Sequence, residues 1–155
     1  MLVVLGSRTA TEYVVDLLLA CHERIRSFVA MARRIATSPT TSGDVREPAA
    51  QVRRYFAEAF PLHVADEEEL LAIPQRIHDD HVAHQPLIDR LVAMCGAIEQ
   101  GGPVPPELAA LAERLERELD EHLAIEERDV FPAVRQLPAA ERARIRDAIR
   151  ARRER

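Results

Sequence analysis

Four stretches of this chain repeat their apolar residues with the period of an α-helix, and that regularity leaves few folds open. They cover residues 11–36, 47–73, 75–100 and 107–136. In the first, Val15, Leu18, His22, Ile25 and Val29 advance by alternating steps of three and four. The second aligns Val52, Phe56, Phe60, His63, Glu67 and Leu70, and the third Ile77, His81, His84, Ile88, Leu91 and Cys95. The fourth aligns Leu108, Leu111, Leu115, Leu119, His122 and Glu126. As helices, such stretches are about 38 Å long at 1.5 Å per residue. Residues 37–43 and 101–106 are loops by their Ser, Thr, Gly and Pro content. No segment reads as a strand. The expectation is an all-α protein: an up-down-up-down four-helix bundle over residues 1–136, with a short extra helix in the Arg-rich segment 137–155.

Local signals refine this. Thr9 and Glu12 have capping-box spacing. Pro61 predicts a kink or break in the second stretch and Pro86 a bend in the third. Pro74 is expected at the first position of the third helix, and Pro132 and Pro138 mark a ragged end to the fourth.

Composition excludes several classes. A chain of 155 residues fits one domain, and 47% apolar residues is too many for a disordered chain. A net charge of −5 argues against a nucleic-acid partner. No run approaches the roughly 18 apolar residues of a membrane span. The apolar opening Met1–Leu5 has no basic segment before it and reads as no signal peptide. Cys21 and Cys95 build no disulfide framework, so a reducing cytoplasm is the expected setting.

Chemistry enters through the histidines. Of six, five (His22, His63, His81, His84 and His122) lie on the apolar stripes, and His78 lies off them. His63 and His122 are each followed four residues later by a glutamate, Glu67 and Glu126. Four steps of a helix return a side chain to within about 40° of its start. Each pair therefore offers an imidazole and a carboxylate to one point inside the bundle. A buried carboxylate without a partner is destabilising by several kcal/mol, and the chain contains no lysine. No arginine falls on these stripes near the pairs, so a metal ion is the natural counter-charge. Imidazole with carboxylate suits iron, manganese or zinc. The donor set exceeds what one tetrahedral ion uses and matches two ions bridged by the carboxylates. A hydroxide or oxo group would balance the remaining charge. Glu127, five residues after His122, competes with Glu126, which the spacing favours. The rest of the run Asp66-Glu67-Glu68-Glu69 reads as a solvated face. Cys21 reads as a buried thiol, and Tyr13 and Tyr55 as packing residues.

The segments carrying these residues are Ala20-Cys-His22-Glu, His63-Val-Ala-Asp-Glu67-Glu68, Asp80-His81, His122-Leu-Ala-Ile-Glu126-Glu127 and Val130-Phe131-Pro132. Their order and spacing, over about residues 12–136, resemble the hemerythrin-like family of HHE cation-binding domains. The resemblance implies a four-helix bundle around a non-haem di-iron centre. It makes His22, His63, His81 and His122 imidazole ligands and Glu67 and Glu126 bridges. The oxygen-carrying members place two histidines four residues apart on the third helix, whereas here His84 follows His81 by three. His84 is then either a further ligand or a pocket residue that leaves an open metal position. Ferritin-like carboxylate proteins use Glu-x-x-His, which is not built here, and a single-metal, three-histidine bundle leaves two histidines and both glutamates unused.

The functional expectation is binding of O2 or a related small oxidant, peroxide or NO, for sensing, redox protection or iron handling. The alternative is a non-catalytic, metal-stabilised module acting through a protein partner. The Arg-rich last helix, with Arg142, Arg146, Ile149, Arg150 and Arg153 on one side, is where such a partner would dock.

Overall fold

The computed structural model describes residues 10–38 and 45–155, with side chains from Tyr13 onward. The capping box at Thr9, the opening apolar segment and most of the loop 37–43 lie outside the described residues. Among these residues there are five helical rods and no strand. The first rod is α1 (Ala10–Ala36). The second joins α2 (Arg46–Arg54), a π-helical turn (Tyr55–Ala59) and α3 (Phe60–Leu70). The third is α4 (Gln75–Glu99). The fourth joins α5 (Glu107–Ile125), a second π turn (Glu126–Val130) and α6 (Phe131–Arg135), and the fifth is α7 (Ala139–Arg153).

The prolines explain the π turns. Each turn runs directly into a Phe-Pro pair, Phe60-Pro61 or Phe131-Pro132. Proline has no N–H to bond four residues back, and its ring crowds that carbonyl, here Ala57 or Arg128 inside the turn. Widening the helix locally removes the conflict, so the expected break at Pro61 is a bulge in a continuous rod. Pro86 causes no break, and α4 runs through it. Its partner carbonyl belongs to Val82, which is 64% exposed and can be solvated. Pro74 sits one residue earlier than expected, extended at φ −61° and ψ 153°, as the N-cap of α4.

At the other end of α4 a Schellman motif closes the helix. Gly101 adopts φ 97°, and Gly101 and Gly102 donate their N–H groups to the carbonyls of Ile98 and Ala97, both at 2.9 Å.

α1 packs against α2 and α5, and α4 against α2 and α5, so the four rods close a ring in up-down-up-down order. α7 lies against α1 and α3 and buries Ile145 and Ile149. The core is split in two. One apolar cluster contains Ile25, Phe56, Phe60, Leu119 and Leu123. The other contains Val14, Leu18, Ile77, Val130, Phe131 and Ile145. Along α1 the divide falls at His22, and along the fourth rod at Glu126. No described helix is long and apolar enough to cross a membrane.

Candidate metal centre

Between the two clusters, polar side chains converge from four rods. α1 supplies His22, α3 His63 and Glu67, α4 His81, α5 His122, and the second π turn Glu126. Glu67 and Glu126 are each 1% exposed. Their donor atoms form two groups, each within 4.8 Å: His22, His63, Glu67 and Glu126; and Glu67, His81, His122 and Glu126. Both carboxylates belong to both groups.

Each carboxylate also divides its oxygens between the groups. Glu67 Oε1 lies 2.8 Å from His63 Nε2, and Oε2 lies 3.1 Å from His81 Nε2. Glu126 Oε2 lies 3.0 Å from His22 Nε2, and Oε1 lies 2.8 Å from His122 Nε2. These distances are short, yet the angles make no hydrogen bonds. The Nε2 atoms of His22, His63 and His81 and all four carboxylate oxygens are buried without a hydrogen-bond partner. Native interiors rarely leave even one such group unpaired. Seven at one point form a donor set that could hold metal cations, and among the described residues no arginine enters it. Imidazole nitrogens with carboxylate oxygens fit a first-row transition metal.

In the metal-free chain, protons take up the charge. Burial lowers His22, but contact with Glu126 and Glu67 outweighs it and raises the imidazole to about 9. His63 is likewise pushed down by burial and lifted, chiefly by Glu67, to about 10. Glu67 is disfavoured as an anion by burial, yet the histidines around it hold it well below the usual carboxylate range.

The outer ring nitrogens complete the arrangement. His22 donates its Nδ1–H to Glu127 Oε1 at 2.9 Å, His81 to Glu68 Oε1 at 2.7 Å and His122 to Asp80 Oδ2 at 3.1 Å. A carboxylate only accepts, so these bonds fix the tautomer and leave Nε2 facing inward. Further side chains stand behind the acids: the guanidinium of Arg26 is 3.0 Å from Glu127, the ring of His78 3.0 Å from Glu68 and the guanidinium of Arg76 4.0 Å from Asp80. His63 differs, because its outer nitrogen has no carboxylate and its neighbour is the Cys21 thiol. Burial pushes that thiol up, while His63 and Arg24, whose Nη2 is 3.6 Å from Sγ, outweigh it and bring it to about 7. Cys95, buried with no such neighbour, is pushed up to about 12.

Six of the seven histidines and glutamates singled out from sequence meet at this point. The seventh, His84, is buried but belongs to neither group. Its ring centroid stands 5.4 Å from that of His122, at the seam between α4 and α5. With α4 unbroken at Pro86, the three-residue step from His81 leaves His84 rotated toward that seam. Glu127 supports His22 from outside, while Glu126 faces both groups.

One sequence reading is corrected. Asp66 is not on a solvated face: it is 1% exposed, with Arg152 Nε at 2.8 Å from Oδ1 and Arg153 bonded to Oδ2. The arginines of α7 are therefore turned largely to the chain itself. Arg142 bonds the carbonyl of Leu137, and Arg150 contacts Tyr13. The supporting acids Glu68, Asp80 and Glu127 were not singled out as such. Their only sequence signal was position next to a ligand-type residue.

The hemerythrin HHE cation-binding domain model matches residues 72–154, a span that includes His81, His122 and Glu126 and extends through α7. No curated protein and no solved structure matches the chain. The match covers more than half of the sequence, and with the two histidine–glutamate groups inside a four-helix bundle it establishes that the chain belongs to the hemerythrin HHE cation-binding domain family.

Proposed function

We propose that the chain holds two iron ions, one at His22 and His63 and one at His81 and His122, with Glu67 and Glu126 bridging them. The observation carrying this reading is the division of both carboxylates, one oxygen to each pair of imidazoles. Two ions also account for the buried donor atoms that lack hydrogen bonds. One ion at either group would leave the other pair of imidazoles unused.

Two imidazoles and two carboxylate oxygens per ion are fewer donors than an octahedral ion accepts. We propose that the remaining positions serve a small oxidant, O2, peroxide or NO, in sensing, redox protection or iron handling. Bound iron would supply the electrons and the open coordination positions. The chain's own part is to orient and to exclude. Glu127, Glu68 and Asp80 hold three imidazoles in place. Phe131, whose ring centroid is 5.0 Å from that of His22, and the apolar clusters above and below limit water at the site.

The test is metal analysis of purified protein together with its optical spectrum before and after reduction and exposure to O2. Two irons per chain and a band that responds to both treatments are expected. A single zinc with no visible band overturns the reading. Sustained peroxide consumption would identify an enzyme, and one stoichiometric oxidation a binder or sensor.

A further inference from the structure

A metal centre this deeply buried needs a way in, and the surface of the bundle offers unequal choices. The cleft between α1 and α5 has Arg26, Glu116 and Asp120 among its apolar walls, but it reaches none of the proposed ligands. The groove between α1 and α7 is lined by Arg24, Arg150 and Arg153 against a single carboxylate, Glu154, and its net positive charge repels a cation. The pocket beneath α7 is lined largely by apolar side chains such as Leu70, Val130 and Ile145.

The seam between α4 and α5 is different. It contains a cavity of about 230 Å³ whose wall includes His122, a member of the ligand groups. Asp80, Glu118 and Glu121 also line it, three carboxylates against the guanidiniums of Arg76 and Arg114. His84 stands in the same wall, 6% exposed and with no hydrogen bond among the described residues. Its Nε2 stops 3.6 Å from Glu118 Oε2. A buried imidazole beside a partly exposed carboxylate, opening onto a cavity, is a donor pair without an assigned task.

We infer that this cavity is the uptake port for the metal, with Glu118 and His84 as transient ligands that pass a divalent cation to His122. Resting on the two-iron reading above, the inference gives a role to the one stripe histidine that the ligand groups leave out. The order of donors runs inward. Glu118 is held by Arg114 at 2.7 Å and Glu121 by Arg76 at 2.9 Å, and both arginines are more than half exposed. Exposed pairs of this kind are worth about 0–1 kcal/mol, so an arriving cation can displace them. Asp80 already holds His122 from outside.

The test is anaerobic uptake of Fe(II) by metal-free protein, followed in time with a chromogenic chelator as quench and at equilibrium as iron per chain. His84→Gln and Glu118→Gln are compared with wild type and with Asp120→Asn in the α1–α5 cleft. Both port variants should reach the wild-type iron content but about tenfold more slowly, the low end of what charge focusing adds to an on-rate. Asp120→Asn should load at the wild-type rate. Wild-type rates in both port variants overturn the port, and a lower final iron content in His84→Gln makes His84 a resident ligand and overturns it equally. Glu118→Gln, altering a partly exposed side chain, keeps the test decisive if the His84 variant folds poorly. Wild-type protein that takes up no iron overturns the two-iron reading itself.

Discussion

His22 and Glu127, 105 residues apart in sequence, are joined by a hydrogen bond of 2.9 Å between the outer ring nitrogen and a carboxylate oxygen. The inner nitrogen of the same ring lies 3.0 Å from Glu126. Adjacent acids on one rod thus grip opposite sides of one imidazole. Both acids stand where α5 passes into the π turn Glu126–Val130.

The two acids should therefore fail differently. On the proposed two-ion reading, Glu127→Gln should leave both metal positions filled but weaken metal binding about 10- to 100-fold, the usual consequence of losing an outer partner of a ligand histidine. Glu126→Ala should empty both positions, because Glu126 belongs to both groups. Iron per chain during titration with a competing chelator distinguishes these outcomes.

The alkaline side of the stability profile should differ with and without metal. In the metal-free chain, His22 and His63 rise from an ordinary 6.5 to about 9 and about 10. Raised folded-state values mean that their contribution is complete below pH 6.5 and is lost as pH climbs through 9 to 10. Glu67, held low, contributes above its unfolded value and loses that contribution as pH falls through its folded one. Thermal melting of metal-free protein should therefore fall on both flanks. Metal binding displaces the histidine protons, so loaded protein should lose little on the alkaline side. Identical alkaline profiles would contradict this account.

The last helix should be a structural part of the bundle. Replacing both Arg152 and Arg153 by alanine leaves Asp66 a buried, unpaired charge, and such losses are about 3–5 kcal/mol. Adding Asp66→Asn should recover part of that stability, because the unpaired charge is gone. Urea unfolding of the three proteins measures both steps, and additive effects would rule out the coupling.

Cys21 should matter to one half of the site only. Cys21→Ala removes the neighbour of the outer nitrogen of His63, whereas His81 and His122 keep Glu68 and Asp80. Metal should leave the His22–His63 position first under chelator competition. Cys21→Asp, which supplies a carboxylate, should retain it. Equal release from both positions in the alanine variant would show that the thiol is a packing residue alone.

Much of the design was legible before any coordinates. The 3.6-residue period located the rods, and four-residue spacing identified His63 with Glu67 and His122 with Glu126. Both are properties of a single helix, set by its own backbone geometry, so local sequence determines them. The rotation of one rod against another is not encoded by the period. That rotation decided which outer acids support which histidines, that Asp66 turns inward to Arg152 and Arg153, and that His84 faces the α4–α5 seam. The prolines were visible, but whether each would break, bulge or leave its helix unbroken depended on what surrounded the freed carbonyl. Sequence alone thus determined the helices and the donors they carry. Only tertiary packing, where four rods bury their charges against one another, decided how those donors pair around a common centre.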